Sequence, residues 1–301
     1  MFLLKTILIT GASGFTGQHA CRHFVQKGLQ VAAISRSQQS SGSSIQSWAC
    51  DLTKHEQVKE LVAQLKPDYV LHLAGRNAVA ESWREPITYL VTNMMSTLYL
   101  LDALRCVPEC RTVVVGSMLT YVPSPTQKPP HPYSMSKSFQ TWGALDWAHL
   151  FEQQVMVARP SNLIGPGPSN GICGLLARRT VQMENAKNSA PFHLSSLVEE
   201  RDYLDVRDAV LAYDCLLEYG ASGMTYPIAS GVNRTLGQIA DALRQHALIE
   251  VPIVAGQIGE YTPPTPIDAT LTRQLGWGPT IPLEDSLRDA LTYFRQEAAN
   301  E

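Results

Sequence analysis

Tyr133 and Lys137 stand four residues apart in "HPYSMSKS" (131–138), a spacing that puts both side chains on one face of a helix. A free phenol titrates near pKa ~10, too high to exchange protons readily at neutral pH. An ammonium fixed nearby favours the phenolate and lowers that value. The pair is therefore a candidate proton donor with the charge that tunes it, and the lysine is also suited to hold a ribose hydroxyl. Ser117 closes the apolar run "RTVVVGS" (111–117) and offers a hydroxyl to polarise a carbonyl. The competing reading is a tyrosine and a lysine on a helix surface with no chemistry.

A second candidate lies near the start of the chain. "TGASGFTG" (10–17) places Gly11, Gly14 and Gly17, with Ser13, Phe15 and Thr16 between them, after an apolar run and ahead of a helical pattern. Glycines at this spacing allow a tight turn and close approach of backbone to a pyrophosphate, which the helix N-terminus then holds. A site for NAD carries an acid after the second strand for the ribose hydroxyls. Here that strand ends "AISRSQ", and Ser35 and Arg36 suit a 2′-phosphate instead. The expectation is NADP(H), with NAD(H) as the alternative and a merely solvated Arg36 as the competing reading. Asp51 and Leu52, in "CDL" (50–52), would lie near the adenine.

Both groups need a scaffold, and the first half of the chain supplies one. "TILIT" (6–10), "QVAAIS" (30–35), "YVLHLAG" (69–75), "RTVVVGS" (111–117) and "QVMVARP" (154–160) predict buried strands. Helices are predicted through "GQHACRHFVQKG", "VKELVAQLKP", "TNMMSTLYLLDALR" and from about Ser134 to Phe151. Strand–helix alternation with near-continuous Val/Ile/Leu strands predicts an α/β fold, a doubly wound parallel (Rossmann) sheet covered on both faces. That domain spans 1–160. The remainder, 161–301, predicts a smaller, mixed C-terminal substrate lobe with helices at 171–186, 207–219, 235–246 and 283–298. Part of the chain, around 202–225, is expected to pack back on the first domain.

Composition narrows the classes. Of 301 residues 45% are hydrophobic and 17% charged, with a formal net charge of −3. No global basic field recruits nucleic acid or an anionic membrane, so an anionic ligand must be held by local groups. Six cysteines are scattered without a C-x-x-C pair, which predicts free thiols in a reducing compartment and no metal site. No apolar run reaches membrane-spanning length, and "MFLLKTILIT" is too short and too lysine-broken for a signal core. The expectation is a cytoplasmic protein with no membrane partner.

Together the glycine loop, "HLAG" (72–75), Ser117 and the Tyr-x-x-x-Lys pair resemble the extended short-chain dehydrogenase/reductase family, in its nucleotide-sugar epimerase/dehydratase/reductase branch. "ARPSNLIGPGP" (158–168) and "ERDYLDVRDAVLAY" (200–213) resemble that branch's substrate-lobe motifs, so the resemblance spans nearly the whole chain. It implies that Leu73, Ala74 and Gly75 join Tyr133 and Lys137 in contacting the dinucleotide. It implies that Ser117 and Tyr133 hydrogen-bond the reacting oxygen, with Tyr133 as general acid/base. It implies that Asn162, Arg179 and Arg201 hold a substrate diphosphate, with Arg178 as the rival of Arg179. Asn162 as a turn stabiliser before Gly165, and Arg201 as a partner of Asp202 or Asp205, are the competing readings; Asp205, Arg207 and Asp208 read as structural. The resemblance also implies a homodimer through "NMMSTLYLLDAL" and "SFQTWGALDWAHLF", for which burial within one subunit is the competing explanation.

The reaction turns on the two residues after Ser117. Dehydratases of this branch resemble S/T-D/S-E here, and 3,5-epimerase/reductases carry a cysteine at the third position; this chain has Met118 and Leu119. An aliphatic side chain shuttles no protons. The implied function is an NADPH-dependent 4-ketoreductase of a nucleotide-activated 4-keto-6-deoxysugar such as GDP-4-keto-6-deoxymannose. The alternatives are a nucleotide-sugar epimerase, acting at C4 through transient oxidation or at C5, and a non-catalytic dinucleotide sensor. The chain departs from its relatives in Gly75, where alanine is commoner, and in a short span from Ser117 to Tyr133. It also lacks an arginine in "GQIGEYTPPTPID" (256–268), which leaves the nucleotide open; Tyr261 is a candidate to stack on its base.

Overall fold

The computed structural model describes residues 4–36, 44–122, 124, 128–185, 190–257 and 259–300. Most of the polar loop expected at 35–44, and part of the Pro-rich segment 121–132, lie outside the described residues. The chain forms two compact units: Met1–Pro160 with Val210–Tyr226, and Ser161–Ala209 with Pro227–Glu301.

The first unit is built on β1 (Thr6–Thr10), β2 (Gln30–Ser35), β3 (Ile45–Ala49), β4 (Tyr69–His72), β5 (Arg111–Val115) and β6 (Val155–Pro160). All neighbouring pairs among these six strands are parallel. The centres of all but β3 are Ile7, Leu8, Ile9, Val31, Val70, Leu71, Val113, Val114, Met156 and Val157, none of them accessible to solvent. A strand apolar at every position is stable only where helices cover both faces. The helices Phe15–Gln26, His55–Leu65, Ser96–Ala103 and Pro132–Leu150 belong to this unit. One core cluster runs from Leu8 and Val70 through Leu100, Leu101 and Ala144.

The second unit holds β7 (Asn162–Ile164), β8 (Phe192–Leu194) and β9 (Glu200–Asp205). β10 (Thr225–Ile228) completes the large sheet, in the order β10-β6-β5-β4-β1-β2-β3. β11 (Asn233–Thr235) pairs antiparallel with β9, which pairs parallel with β7; β12 (Ile253–Ala255) pairs with β8. Its own core joins Leu176, Tyr203, Ile239, Leu243, Leu287 and Phe294.

Buried carboxylates organise "ERDYLDVRD" (200–208). Asp202 accepts from the Ser230, Gly231 and Val232 amides at 3.0, 2.7 and 3.1 Å, and from the Ser230 hydroxyl at 2.8 Å. Asp205 takes the Arg207 guanidinium and the Ser286 hydroxyl, and Asp208 takes Thr280 and Ile281. Removing the Asp202 carboxylate strands its donors in the interior, and Asp202→Ala is expected to cost about 3 kcal/mol of unfolding free energy. Urea denaturation followed by circular dichroism measures it.

Several elements depart from expectation: β4 and β5 stop at His72 and Val115, short of the predicted Gly75 and Ser117. The single helix predicted through "TNMMSTLYLLDALR" is a π-helical turn, Leu90–Met95, followed by an α-helix, Ser96–Ala103, and a 3₁₀ turn, Leu104–Cys106. The hydroxyls of Ser96 and Thr97 bond the carbonyls of Thr92 and Asn93 at 2.5 and 2.7 Å, competing with the regular backbone ladder. The helix expected from Ser134 begins at Pro132, with His131 as its cap. Proline suits a first helical position because its missing N–H would have no partner there.

Candidate active site

The glycine loop is shaped by backbone contacts. Gly11 has φ +66°, and a Cβ there would stand 2.9 Å from the Ala74 amide nitrogen. A Cβ on Gly17 would fall 2.1 Å from the Gly11 carbonyl oxygen, so only glycine lets the helix Phe15–Gln26 start this close to the turn. Gly14 is its N-cap and brings no capping side chain, so the first-turn amides keep their donors for a ligand. A buried network ties this loop to the segment after β4. The Thr10 hydroxyl accepts from the Leu73 and Ala74 amides, both at 3.1 Å. Its own hydrogen then goes to His72 Nδ1 at 2.8 Å. His72 Nε2 therefore carries the ring proton and donates to Thr97 Oγ1 at 2.8 Å, which Gln140 Nε2 also approaches at 2.9 Å. Burial, and then the charge of Lys137, pushes the His72 pKa down to about 3, so the ring stays neutral.

Arg36 is exposed at the end of β2. It is near enough to Asp51 to help hold that carboxyl below its ordinary range, although hydrogen bonds from the Thr53 hydroxyl (2.7 Å) and amide (3.0 Å) dominate. A Cβ at Gly75 would stand 2.9 Å from Asn93 Oδ1, so alanine there requires the Asn93 amide to shift.

The tyrosine and its neighbours converge at the end of β5. Tyr133 is 7% exposed. Burial raises its phenol, and the neighbouring Ser117 hydroxyl pulls it back. Ser117 Oγ in turn accepts the Leu119 amide at 3.0 Å. Lys137, one turn on, is buried with its ammonium on the Val115 carbonyl at 2.7 Å, and desolvation lowers its pKa to about 7. The structure thus brings Ser117 and Tyr133 into contact and sets Lys137 against the same strand end.

Asn162, Arg179 and Arg201 belong to the second unit. Asn162 Nδ2 donates to the Asp202 carbonyl at 2.9 Å. Arg201 bonds the Glu200 carbonyl and stands 3.5 Å from Glu199; neither Asp202 nor Asp205 is its partner. Arg179 reaches the Ala190 carbonyl at 2.9 Å, while the Arg178 guanidinium lies 4.9 Å over the Phe294 ring. Tyr261 accepts the Glu200 amide at 2.6 Å.

Sequence reasoning missed Asn93 and Arg159. Asn93 sits fully buried in the π-helical turn and holds the Arg76 amide (2.8 Å), the Arg76 carbonyl (3.0 Å) and the Ser136 hydroxyl (2.9 Å). Its only signal was an amide within an apolar helical run. Arg159 donates to the Ser117 carbonyl at 3.1 Å, steadying the residue that faces Tyr133.

The NAD dependent epimerase/dehydratase family matches residues 7–229. The chain belongs to that family. It is an NAD(P)-dependent enzyme of the extended short-chain dehydrogenase/reductase type. Among curated relatives it is 28% identical over 315 residues to the GDP-6-deoxy-D-mannose reductase of Pseudomonas aeruginosa, covering 99% of this chain and 100% of the relative. It is 24% identical to the UDP-glucose 4-epimerase of Mycolicibacterium smegmatis over 97% of this chain and 99% of that one. Among solved structures, RMD from Pseudomonas aeruginosa complexed with NADPH superposes with a TM-score of 0.83 at 26% identity, covering 97% of this chain and 99% of that one. UDP-glucose 4-epimerase from Thermotoga maritima with UDP-glucose gives 0.84 at 22% identity, over the same shares of both chains, a likeness of fold. No helix among the described residues is long and apolar enough to cross a membrane.

Proposed function

We propose that this protein is an NADPH-dependent 4-ketoreductase of a nucleotide-activated 4-keto-6-deoxysugar. The observation that carries the reading is the convergence of Ser117, Tyr133 and Lys137 at the end of β5, with aliphatic Leu119 two residues after Ser117. The full-length likeness to a GDP-6-deoxy-D-mannose reductase supports it. NADPH, when bound, supplies the hydride. The Tyr133 hydroxyl gives its hydrogen to the substrate oxygen, which becomes the hydroxyl as the carbonyl carbon is reduced, and the Ser117 hydroxyl polarises the same carbonyl. Lys137 steadies the resulting phenolate and holds the nicotinamide ribose. Leu119 has no group to take a proton from a neighbouring carbon, which favours reduction over elimination.

The glycine loop fits a dinucleotide, since Gly14 caps the helix Phe15–Gln26 without a side chain and leaves the first-turn amides to a pyrophosphate. Ser13, Phe15 and Thr16 line its pyrophosphate, and Leu73, Ala74 and Gly75 its nicotinamide half. Leu52 borders the adenine with Asp51. Arg36 binds the 2′-phosphate, and Asn162, Arg179 and Arg201 bind the substrate diphosphate. Arg36→Glu is expected to raise the KM for NADPH about 10- to 100-fold, the worth of a charge-assisted bidentate contact, while sparing NADH. Two copies join through the helices Ser96–Ala103 and Pro132–Leu150, which light scattering tests.

The purified protein, NADPH and a panel of GDP-, dTDP- and UDP-4-keto-6-deoxysugars provide the test. Loss of reduced-nicotinamide absorbance, one equivalent per sugar reduced, supports the ketoreductase and names the nucleotide. A sugar inverted without net NADPH loss points to epimerisation, the reading favoured by likeness to UDP-glucose 4-epimerases. Neither result would leave a dinucleotide-binding sensor.

A further inference from the structure

His131 belongs to no motif, yet it occupies the cap of the helix that carries Tyr133 and Lys137. Its backbone is extended, with φ −164° and ψ 162°, and its Nδ1 accepts the Ser134 amide at 2.9 Å. Ordinary caps accept through hydroxyl, carboxylate or amide oxygens, which keep that ability across the neutral range. An imidazole accepts at one nitrogen only while neutral. Acceptance at Nδ1 therefore puts the ring proton on Nε2. The same ring lies face to face with Tyr133, centroids 5.9 Å apart and planes 17° from parallel. Tyr89 meets Tyr133 edge-on at 6.3 Å and 83°. The phenol thus meets two rings, and one of them is titratable.

We propose that His131 is a positioning residue for Tyr133, holding the helix start and the phenol in register only while its imidazole is neutral. Protonation puts an N–H where the Ser134 N–H already points, so two donors face each other and the cap is lost. A cation at a helix N-terminus is also repelled by the helix dipole. The titratable group facing the ring is Tyr133, and no ion pair joins His131 among the described residues. Burial holds the imidazole below its ordinary pKa. With a lowered folded pKa, the stability gained from the neutral ring is present above the unfolded value and is lost as pH falls through the folded one. Turnover should therefore fall on the acid side, opposite to the alkaline loss expected when a general acid deprotonates.

The turnover arm rests on the ketoreductase reading; the magnetic-resonance arm needs no substrate. Full-length wild type, His131→Asn (an acceptor that does not titrate) and His131→Ala (no acceptor) are compared. In wild type at pH 8, ¹⁵N spectra should show the Nε2–H tautomer of His131 and a protected Ser134 amide. That protection, corrected for intrinsic exchange, should fall at least about tenfold as the ring protonates, the equivalent of one broken hydrogen bond. It should persist at all pH in His131→Asn and be missing in His131→Ala. With a keto-sugar substrate, His131→Ala should lower kcat more than it changes KM, and His131→Asn should restore kcat and remove the acid limb. An Nδ1–H tautomer, or equal Ser134 protection in all three proteins, overturns the proposal. So does an acid limb unchanged in His131→Asn. The expected tautomer and exchange pattern without turnover of any sugar would instead uphold the cap and overturn the ketoreductase.

Discussion

Tyr133→Phe is expected to lower kcat for carbonyl reduction by about 100- to 10,000-fold, the usual worth of a positioned general acid. The substitution keeps the ring, and with it the contacts to His131 and Tyr89. It removes only the oxygen beside Ser117, the proposed proton donor. The affinity for NADPH, measured by quenching of its fluorescence, should fall far less than the rate. A comparable loss in both would mean that the phenol serves the cofactor site rather than proton transfer.

Lys137→Met is expected to abolish turnover and, at the same time, to stabilise the fold. Lys137 is buried and its pKa is lowered to about 7 from an ordinary 10.5. A basic group depressed by burial favours the neutral form in the folded state, so the fold loses stability as pH falls from the unfolded pKa to the folded one. That loss is complete near pH 7 and absent above about pH 10.5. Methionine fills similar volume without charge, and it forfeits only the bond to the Val115 carbonyl, about 1 kcal/mol. The net gain near neutrality should be about 2–4 kcal/mol, less than the full shift because the bond is lost and the site relaxes. Thermal unfolding should show a higher Tm for Lys137→Met at pH 7, with the gap closing towards pH 10. A Tm gap that did not narrow with rising pH would mean that Lys137 carries no such strain. The opposition of the two effects is what a functional charge, kept in the interior at the expense of stability, should show.

Both variants rest on residues legible in the sequence, because local spacing alone fixes their relation. The i and i+4 positions of Tyr133 and Lys137 share a helix face whatever surrounds them. Strand periodicity likewise located β1, β2 and β6 closely, since parallel strands buried on both faces must be apolar throughout. The requirement for glycine at Gly11 and Gly17 was visible as spacing, although its reason, contact with the Ala74 amide and the Gly11 carbonyl, was not.

Residues that act through partners far along the chain stayed hidden. Asn93 reads as a polar interruption of an apolar helix until folding brings Arg76 and Ser136 to it. His72 reads as a strand residue, but Thr10 and Thr97 fix its tautomer. Arg201, for which Asp202 and Asp205 were the candidate partners, takes Glu199 because donors from other segments already occupy both. Sequence determined the chemistry available and its local register, because side-chain type and helix or strand period are properties of neighbours along the chain. Tertiary structure decided which of those groups are buried, which are paired and which proton sits where, because desolvation and hydrogen bonding depend on neighbours in space.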